Sequence, residues 1–380
     1  MSYGWDKESL RRFAFRTFTA PKTKVIMIRN IRTTISIAWI LVLFFPTLSS
    51  GQDQSKKYRV SCIGFYNLEN LYDTVDDPEK SDEEFLPNGT KRYTAEVYKD
   101  KLHNLATVIS QIGTDDSPDG LSILGVAEIE NRKVLEDLAA QPELKSRNYK
   151  VVHYDSPDRR GVDVALFYNP KYFRELNSGS LNVPLKNQDG TPYATRDVLW
   201  VYGLHNGEPV HLFVNHWPSR RGGEEASAPS RALAASVARA KIDSITAAMP
   251  EAKVILMGDL NDDPVNVSVT EVLKASYDRA NLKPGFLYNP WNDYYSQGIG
   301  TLAYNDAWNL FDQIVISQPF LQEKQDGYFY HKAVIFNRPY LFQKSGRYKG
   351  YPMRTYDFDI YIRGYSDHLP VYVVLMKQVD

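Results

Sequence analysis

The chain is poor in features that would each have pointed to a different kind of protein. It has one cysteine in 380 residues, Cys62, so no intramolecular disulfide can staple it and no thiolate cluster can hold a soft metal. Long apolar runs are missing: the best candidate for a membrane segment, Ile35 to Phe45, is about half the roughly 20 residues that span a bilayer. Net charge is small, with 45 Lys+Arg against 46 Asp+Glu. There is no G-x-x-x-x-G-K-S/T loop, no H-E-x-x-H pair and no G-x-S-x-G elbow, which removes the usual signatures of P-loop, zincin and α/β-hydrolase chemistry. What is present is a chain 43% hydrophobic and 13% aromatic, enough to bury a large core and too apolar for general disorder.

Arg29 and Arg32, the short apolar run and the small residues that follow it to Gly51 form the pattern of a secretory signal peptide, with a short membrane anchor as the alternative. Counted from Met1 the basic region is too long, whereas Met27 gives an ordinary one. Translation is therefore expected to begin at Met27, with residues 1–51 an extension and signal and residues 52–380 one large domain that is secreted or periplasmic, with no stable membrane span. Residues 1–51 hold 8 Lys+Arg and 2 Asp+Glu, leaving 37 basic against 44 acidic groups, a net charge of −7. No global basic field gathers nucleic acid on such a chain. Nothing in it points to a protein partner, and Cys62, inside the strand-like "RVSCIGFYN", reads as a core thiol.

Strand-like runs recur: "RVSCIGFYN", "LSILGVAE", "GVDVALFYN", "PVHLFVNH", "KVILMGDLN", "FDQIVIS" and "LPVYVVLM". Helical patterns cover Thr94 to Ile112 and Ser230 to Met249, so the class is α/β. Runs apolar on both faces, such as "VILM", suit central strands covered by helices. Two stretches read as long and irregular, an acidic turn-rich one from Asp73 to Arg92 and an aromatic one from Lys283 to Asn309. The first reads as a solvated loop or a cation or substrate loop; the second offers rings for a base or sugar, or covers a core edge.

Polar groups that bind metals or move protons stand at the ends of these runs. Asn67 closes the first, Glu128 the second, His216 the fourth, and Asp259 with Asn261 the fifth; Asp312 opens the sixth, and Asp367 with His368 precede the last. Each alone is ordinary strand-end chemistry. Together they form an oxygen and imidazole inventory that strand ends on one rim of a sheet could gather into one cleft. Carboxylate and amide oxygens suit Mg²⁺ or Mn²⁺, and imidazoles off the metal suit charge stabilisation or proton transfer at a phosphoryl group.

The order Asn67, Glu128, His216, "GDLN", Asp312, "SDH" resembles the endonuclease/exonuclease/phosphatase superfamily over Val60 to Leu375. The resemblance implies a four-layer α/β sandwich, two mixed sheets face to face flanked by helices, with the site at one rim. It implies Asn67 and Glu128 as the metal-binding pair, with Asp367 metal-proximal. Asp259 and Asn261 become the residues that activate water and orient phosphate, His216 and His368 the phosphate-binding, acid-capable pair, and Asp312 the carboxylate that orients His368. "SPDRRGVDVALFYN" is similar to the strand lining the family's cleft, which makes Arg160 and Asp163 candidates there. Arg220 and Arg221, in a glycine-bearing loop after His216, are further candidates for phosphate contact, solvent-facing charge being the alternative. The expected activity is metal-dependent phosphodiester hydrolysis with nucleic acid as the leading substrate. A phosphatase or phosphodiesterase of lipid headgroups, nucleotides or sugar phosphates is the second reading, and a secreted binding protein with a relic site the third.

Overall fold

Seven runs of the sequence that alternate or are apolar throughout become the frame of two sheets. The computed structural model describes residues 56–187, 189–324 and 327–379; the expected signal peptide and Met27 start lie outside them. In chain order, β1 (Lys57–Leu71), α1 (Ala95–Gln111), β2 (Leu121–Ile129), α2 (Arg132–Ala139), β3 (Lys150–His153) and β4 (Asp163–Tyr168) come first. Next are β5 (Phe173–Leu181), β6 (Val198–His205), β7 (Glu208–His216), α3 (Glu224–Ala248), β8 (Val254–Asp259), β9 (Ala275–Ser276) and β10 (Leu287–Tyr288). The C-terminal part adds α4 (Asn292–Ser296), β11 (Leu302–Tyr304), β12 (Ala307–Asn309), β13 (Asp312–Ser317), β14 (Phe329–Ile335), β15 (Tyr356–Asp357), β16 (Ile360–Tyr361) and β17 (Val371–Val379).

The first sheet has the order β14-β17-β1-β2-β4-β3 and the second β5-β6-β7-β8-β13-β10-β9. Both are mixed, with β1–β2, β7–β8 and β9–β10 parallel and the remaining pairs antiparallel. The sheets lie face to face, as the resemblance implies. Along β8, Ile255 and Met257 join a core shared with Ile63, Leu124 and Val126 of the first sheet, whereas Val254 and Leu256 pack under Ala234, Ala235 and Ala238 of α3. This alternation is what the period of two in a strand produces when one face meets a sheet and the other a helix. The approach between sheets is close enough that a side chain at Gly125 of β2 would put its Cβ 2.6 Å from Met257 Sδ.

Thr94 caps α1 as the sequence pattern requires, its Oγ1 accepting from Val97 N–H. α3 departs from expectation, starting at Glu224 instead of Ser230 and carrying Pro229 inside it. The extra turn is held by side chains: Ser227 Oγ donates to Gly223 O and Arg231 Nη2 to Glu224 O. The aromatic stretch from Lys283 is likewise less irregular than expected, since it forms β10, α4, β11 and β12. No helix among the described residues is long and apolar enough to cross a membrane.

Candidate active site

Strand register places the first three groups in a row. His216 ends β7 opposite Asp259 at the end of β8, and Asp259 stands opposite Asp312 at the start of β13. Adjacent strands are about 4.8 Å apart, so side chains from these positions share one rim. The facing sheet contributes Asn67 from β1, Glu128 from β2 and His368 from the segment that enters β17. Asn67 Nδ2 donates to Asp259 Oδ2 across the sheets at 3.0 Å. His216 Nε2 lies 3.7 Å and His368 Nε2 3.8 Å from that same oxygen, and Glu128 Oε1 lies 3.8 Å from His216 Nε2.

Backbone irregularity aims several of these groups. Pairing of β2 shifts register between Ala127 and Ile129 against β4, leaving Glu128 bulged with φ at 59°; a bulge is a way to redirect one side chain out of the alternation. Glu69, Asn70 and Asn261 also have positive φ, 50°, 54° and 48°, a conformation that costs an L-residue roughly 1–2 kcal/mol. Local hydrogen bonds hold these bends: Glu69 N–H to Asn67 Oδ1 at 2.9 Å, Asn70 N–H to Glu128 Oε2 at 3.0 Å and Asn261 N–H to Asp259 Oδ1 at 3.0 Å. Ser366 explains its place in the C-terminal triplet, because its hydroxyl donates to Asn67 O at 2.8 Å and accepts His368 N–H at 3.1 Å. It thereby ties the approach to β17 onto β1.

The surroundings push the two imidazoles in opposite directions. Burial pulls His368 down, but Asp312 Oδ2, 2.7 Å from its Nδ1, and then Asp259 outweigh that and hold it well above its ordinary value. Burial, with Arg196, Arg160 and His368 adding to it, holds His216 well below its ordinary value, and its buried Nδ1 has no hydrogen-bond partner among the described residues. The resemblance implies an acid-capable pair; here the surroundings favour the proton on His368 and disfavour it on His216. Burial pushes the Asp259 carboxyl up to about 7, His368 opposing and Asp312 reinforcing the shift.

The donor set fits a small hard cation. Glu128 keeps Oε1 free of hydrogen bonds among the described residues while Oε2 is held by Asn70, and the Asn67 amide oxygen, which accepts Glu69 N–H, has a second lone pair. Asp312 Oδ1 is buried without a hydrogen-bond partner among those residues, and the Asp259 and Asp312 carboxylates add negative charge beside the donors, with His368 paired to Asp312 and so not a ligand. Asp367 sits at the edge, its Oδ2 3.2 Å from Arg354 Nη2 and its Oδ1 4.0 Å from His368 Nε2.

Of the three expected arginines, Arg160 is half-exposed beside Asp158 at 3.6 Å. Burial lowers its pKa but Glu128 and Asp158 more than compensate, so it stands in the field of the cluster. Arg220 does not reach out to a ligand: its guanidinium is committed to Asn261 O, Glu224, Asp262, Asp263 and Asn266, and lies over the Phe311 ring. It braces the loop that carries Asn261. Arg221 is exposed. Asp163 belongs to a separate buried network with His153 and Ser156.

Two supporting cations were not anticipated. Arg196 donates to the carbonyls of His216 and Trp217 and pairs with Asp158 at 3.1 Å. Lys101 is fully buried on α1 and donates to Thr355 Oγ1 at 2.6 Å, while Thr355 N–H and Oγ1–H both donate to Glu69 Oε2. A signal existed for Lys101, which stands four residues before Leu105 on the buried stripe of a helix. Arg196 had none, since it precedes β6 in a stretch without periodicity.

The sequence profile of the Endonuclease/Exonuclease/phosphatase family matches residues 62–377. Among solved structures, an endonuclease/exonuclease/phosphatase family protein from Bacteroides thetaiotaomicron is similar at 17% identity, covering 85% of this chain and 100% of its own, with a TM-score of 0.52. A mannosyl-6-phosphatase from Bacteroides thetaiotaomicron VPI-5482 is similar at 16% identity, covering 83% and 99%, with a TM-score of 0.50. TDP2 from D. rerio, complexed with single strand DNA product, matches at 14% identity, 83% and 98% coverage and a TM-score of 0.49. These are likenesses of fold. No curated protein matches the chain.

Proposed function

The chain belongs to the endonuclease/exonuclease/phosphatase family, whose members are metal-dependent phosphoric ester hydrolases, and from that premise we propose that it cleaves phosphodiesters, with a nucleic-acid strand as substrate. The observation that carries the reading is the convergence on Asp259 Oδ2 of Asn67, His216 and His368 from two sheets, with Asp312 behind His368. A phosphodiester is anionic and resists attack until that charge is offset. Asn67 and Glu128, with Asp367 at the edge of the cluster, would hold Mg²⁺ or Mn²⁺, which would supply neutralisation of the phosphate's charge.

The chain's own residues supply the rest. Asp259 takes the proton of the attacking water as its oxygen bonds to phosphorus. His368, its Nδ1–H fixed on Asp312, gives its Nε2 proton to the leaving oxygen as the second P–O bond breaks. The products are a phosphomonoester and an alcohol. His216, neutral, serves as a hydrogen-bond donor to the phosphoryl group. Asn261 directs one amide hydrogen to Trp217 O at 2.9 Å, which sets the plane of its side chain.

A second reading, a phosphatase or phosphodiesterase of small esters, is favoured by one observation: with Arg220 committed internally, Arg160 and Arg221 are left as the expected arginines for a polynucleotide backbone. The test is a panel of plasmid DNA, RNA, sphingomyelin, bis-p-nitrophenyl phosphate and inositol phosphates under the same Mg²⁺ or Mn²⁺. Polynucleotides should lead in kcat/KM; a tenfold preference for a lipid or sugar phosphate, about 1.4 kcal/mol, transfers the assignment to the second reading. We also propose export with trimming near Ser50 or Gly51. N-terminal sequencing of native protein checks this, and recovery of an intact Met1 or Met27 terminus in the cytoplasm contradicts it.

A further inference from the structure

The acidic stretch from Asp73 and the aromatic stretch from Lys283 meet beside Asp367. Phe85 of the first and Tyr304 of the second line, with Tyr348, Arg354 and Phe358, a cavity of about 380 Å³ whose wall includes Asp367 itself. Asp367 Oδ1 is 4.0 Å from His368 Nε2, so a group in this cavity and a phosphate at the Asp259 cluster are immediate neighbours.

Two rings at the cavity are presented to solvent: Tyr304 is 68% and Phe358 77% exposed. Aromatic side chains gain most from burial, and Phe358 carries a second cost. It sits in the two-residue turn between β15 and β16 with φ at 51°, a conformation suited to Gly, Asn or Asp. An exposed ring on a strained turn beside a reactive cluster calls for a functional account. The turn is also braced, because Lys91 donates to Phe358 O at 2.7 Å and pairs with Asp359 at 3.0 Å and Glu84 at 3.1 Å. Arg354 lies against Asp367 and 6.0 Å from the Tyr348 ring.

We propose that this cavity is a nucleoside subsite, in which the base of the nucleotide esterified to the reacting phosphate stacks on Phe358 and Tyr304. The proposal rests on the phosphodiesterase reading and narrows it. A volume of about 380 Å³ lies at the small end of ligand pockets, which begin near ~300 Å³. That is room for one nucleoside. The substrate class is thus one that carries a nucleoside on the reacting phosphate, a polynucleotide or a nucleotide diester. A bilayer is the poorer occupant, since Asp357 and Asp359 flank Phe358 and insertion of the ring would carry both carboxylates towards hydrocarbon.

The test uses two diesters with the same leaving group, thymidine 5′-(p-nitrophenyl phosphate) and methyl p-nitrophenyl phosphate, with the full chain and a Tyr304→Ala/Phe358→Ala double variant. Both substitutions are at exposed positions, and circular dichroism checks that the variant is folded. The wild type should favour the nucleoside ester in kcat/KM by about tenfold or more, the scale of one base–aromatic stack, and the variant should bring that ratio towards one. An unchanged ratio, or an equal loss on both esters, overturns the proposal. Titration of thymidine 5′-monophosphate against inorganic phosphate gives a readout independent of turnover. If neither diester is cleaved, the parent reading fails, yet the subsite stands if the variant loses about tenfold in nucleotide affinity and falls if it does not. Cosedimentation with phosphatidylcholine/phosphatidylserine vesicles that depends on Phe358 would overturn it in favour of a lipid surface.

Discussion

Asp259 Oδ2 is the atom around which the site is built. It receives Asn67 from the other sheet and faces both imidazoles, and burial leaves its carboxyl easier to protonate than an ordinary aspartate. The neighbouring Asp312–His368 pair resolves the opposite way, holding a proton on the ring. The base and acid proposed for the reaction are thus placed in different environments, a division that active sites commonly use. His368→Ala should lower kcat by ~10²–10³ with little change in KM, the usual cost of removing one preorganised donor. Asp312→Asn should act in the same direction and less strongly, and the double variant should be far from additive, because both act through one ring. Measuring kcat and the melting temperature on the same preparations separates this from a structural role, in which the melting temperature falls while turnover per folded molecule is kept.

At the scale of elements, the sandwich is fastened by contacts between strands of different sheets. His205 ends β6 in the second sheet, and its Nε2 lies 2.8 Å from Ser61 Oγ of β1 and 3.4 Å from Ser122 Oγ of β2 in the first. Burial lowers the ring to about 4 from 6.5. Between those values the unfolded chain binds the proton and the folded protein does not, so stability is full above 6.5 and declines as pH falls to about 4, by up to about 3 kcal/mol for this group. His205→Gln should flatten the acid limb of a melting temperature against pH curve, and identical slopes for the two proteins would contradict the assignment. The seven strands legible in the sequence, β1, β2, β4, β7, β8, β13 and β17, have apolar residues on one or both buried faces; β6, with Val198, Leu199 and Val201 buried, carries the same signal, and β3 is a four-residue edge strand too short to show one. β5 and β14 escaped because they are sheet edges with polar residues facing out, and β9 to β12, β15 and β16 because two- or three-residue ladders leave no periodicity. Strand-end placement made Asn67, Glu128, Asp259 and Asp312 visible as candidates. The bulge that aims Glu128 and the partners that occupy Arg220, some from beyond β8, depend on pairing across distant sequence and leave no local trace.

Taken whole, the molecule uses two sheets as opposing jaws, each contributing part of one cluster, so the site exists only when the sandwich is closed. This explains why the residues are spread from Asn67 to His368 and why buried cations such as Lys101 and Arg196 stand behind them, holding Thr355 and the His216–Trp217 backbone in place. In the proposed reaction the closed cluster hydrolyses a phosphate diester through a cation held by its oxygen donors. The direct measurement is the initial rate on bis-p-nitrophenyl phosphate after exhaustive EDTA treatment and then across a Mg²⁺ titration, for the wild type and Glu128→Gln. The predicted result is no turnover in EDTA, recovery with Mg²⁺, and a Mg²⁺ requirement raised about tenfold or more by the substitution; full turnover in EDTA, or superimposable Mg²⁺ curves for the two proteins, would contradict it.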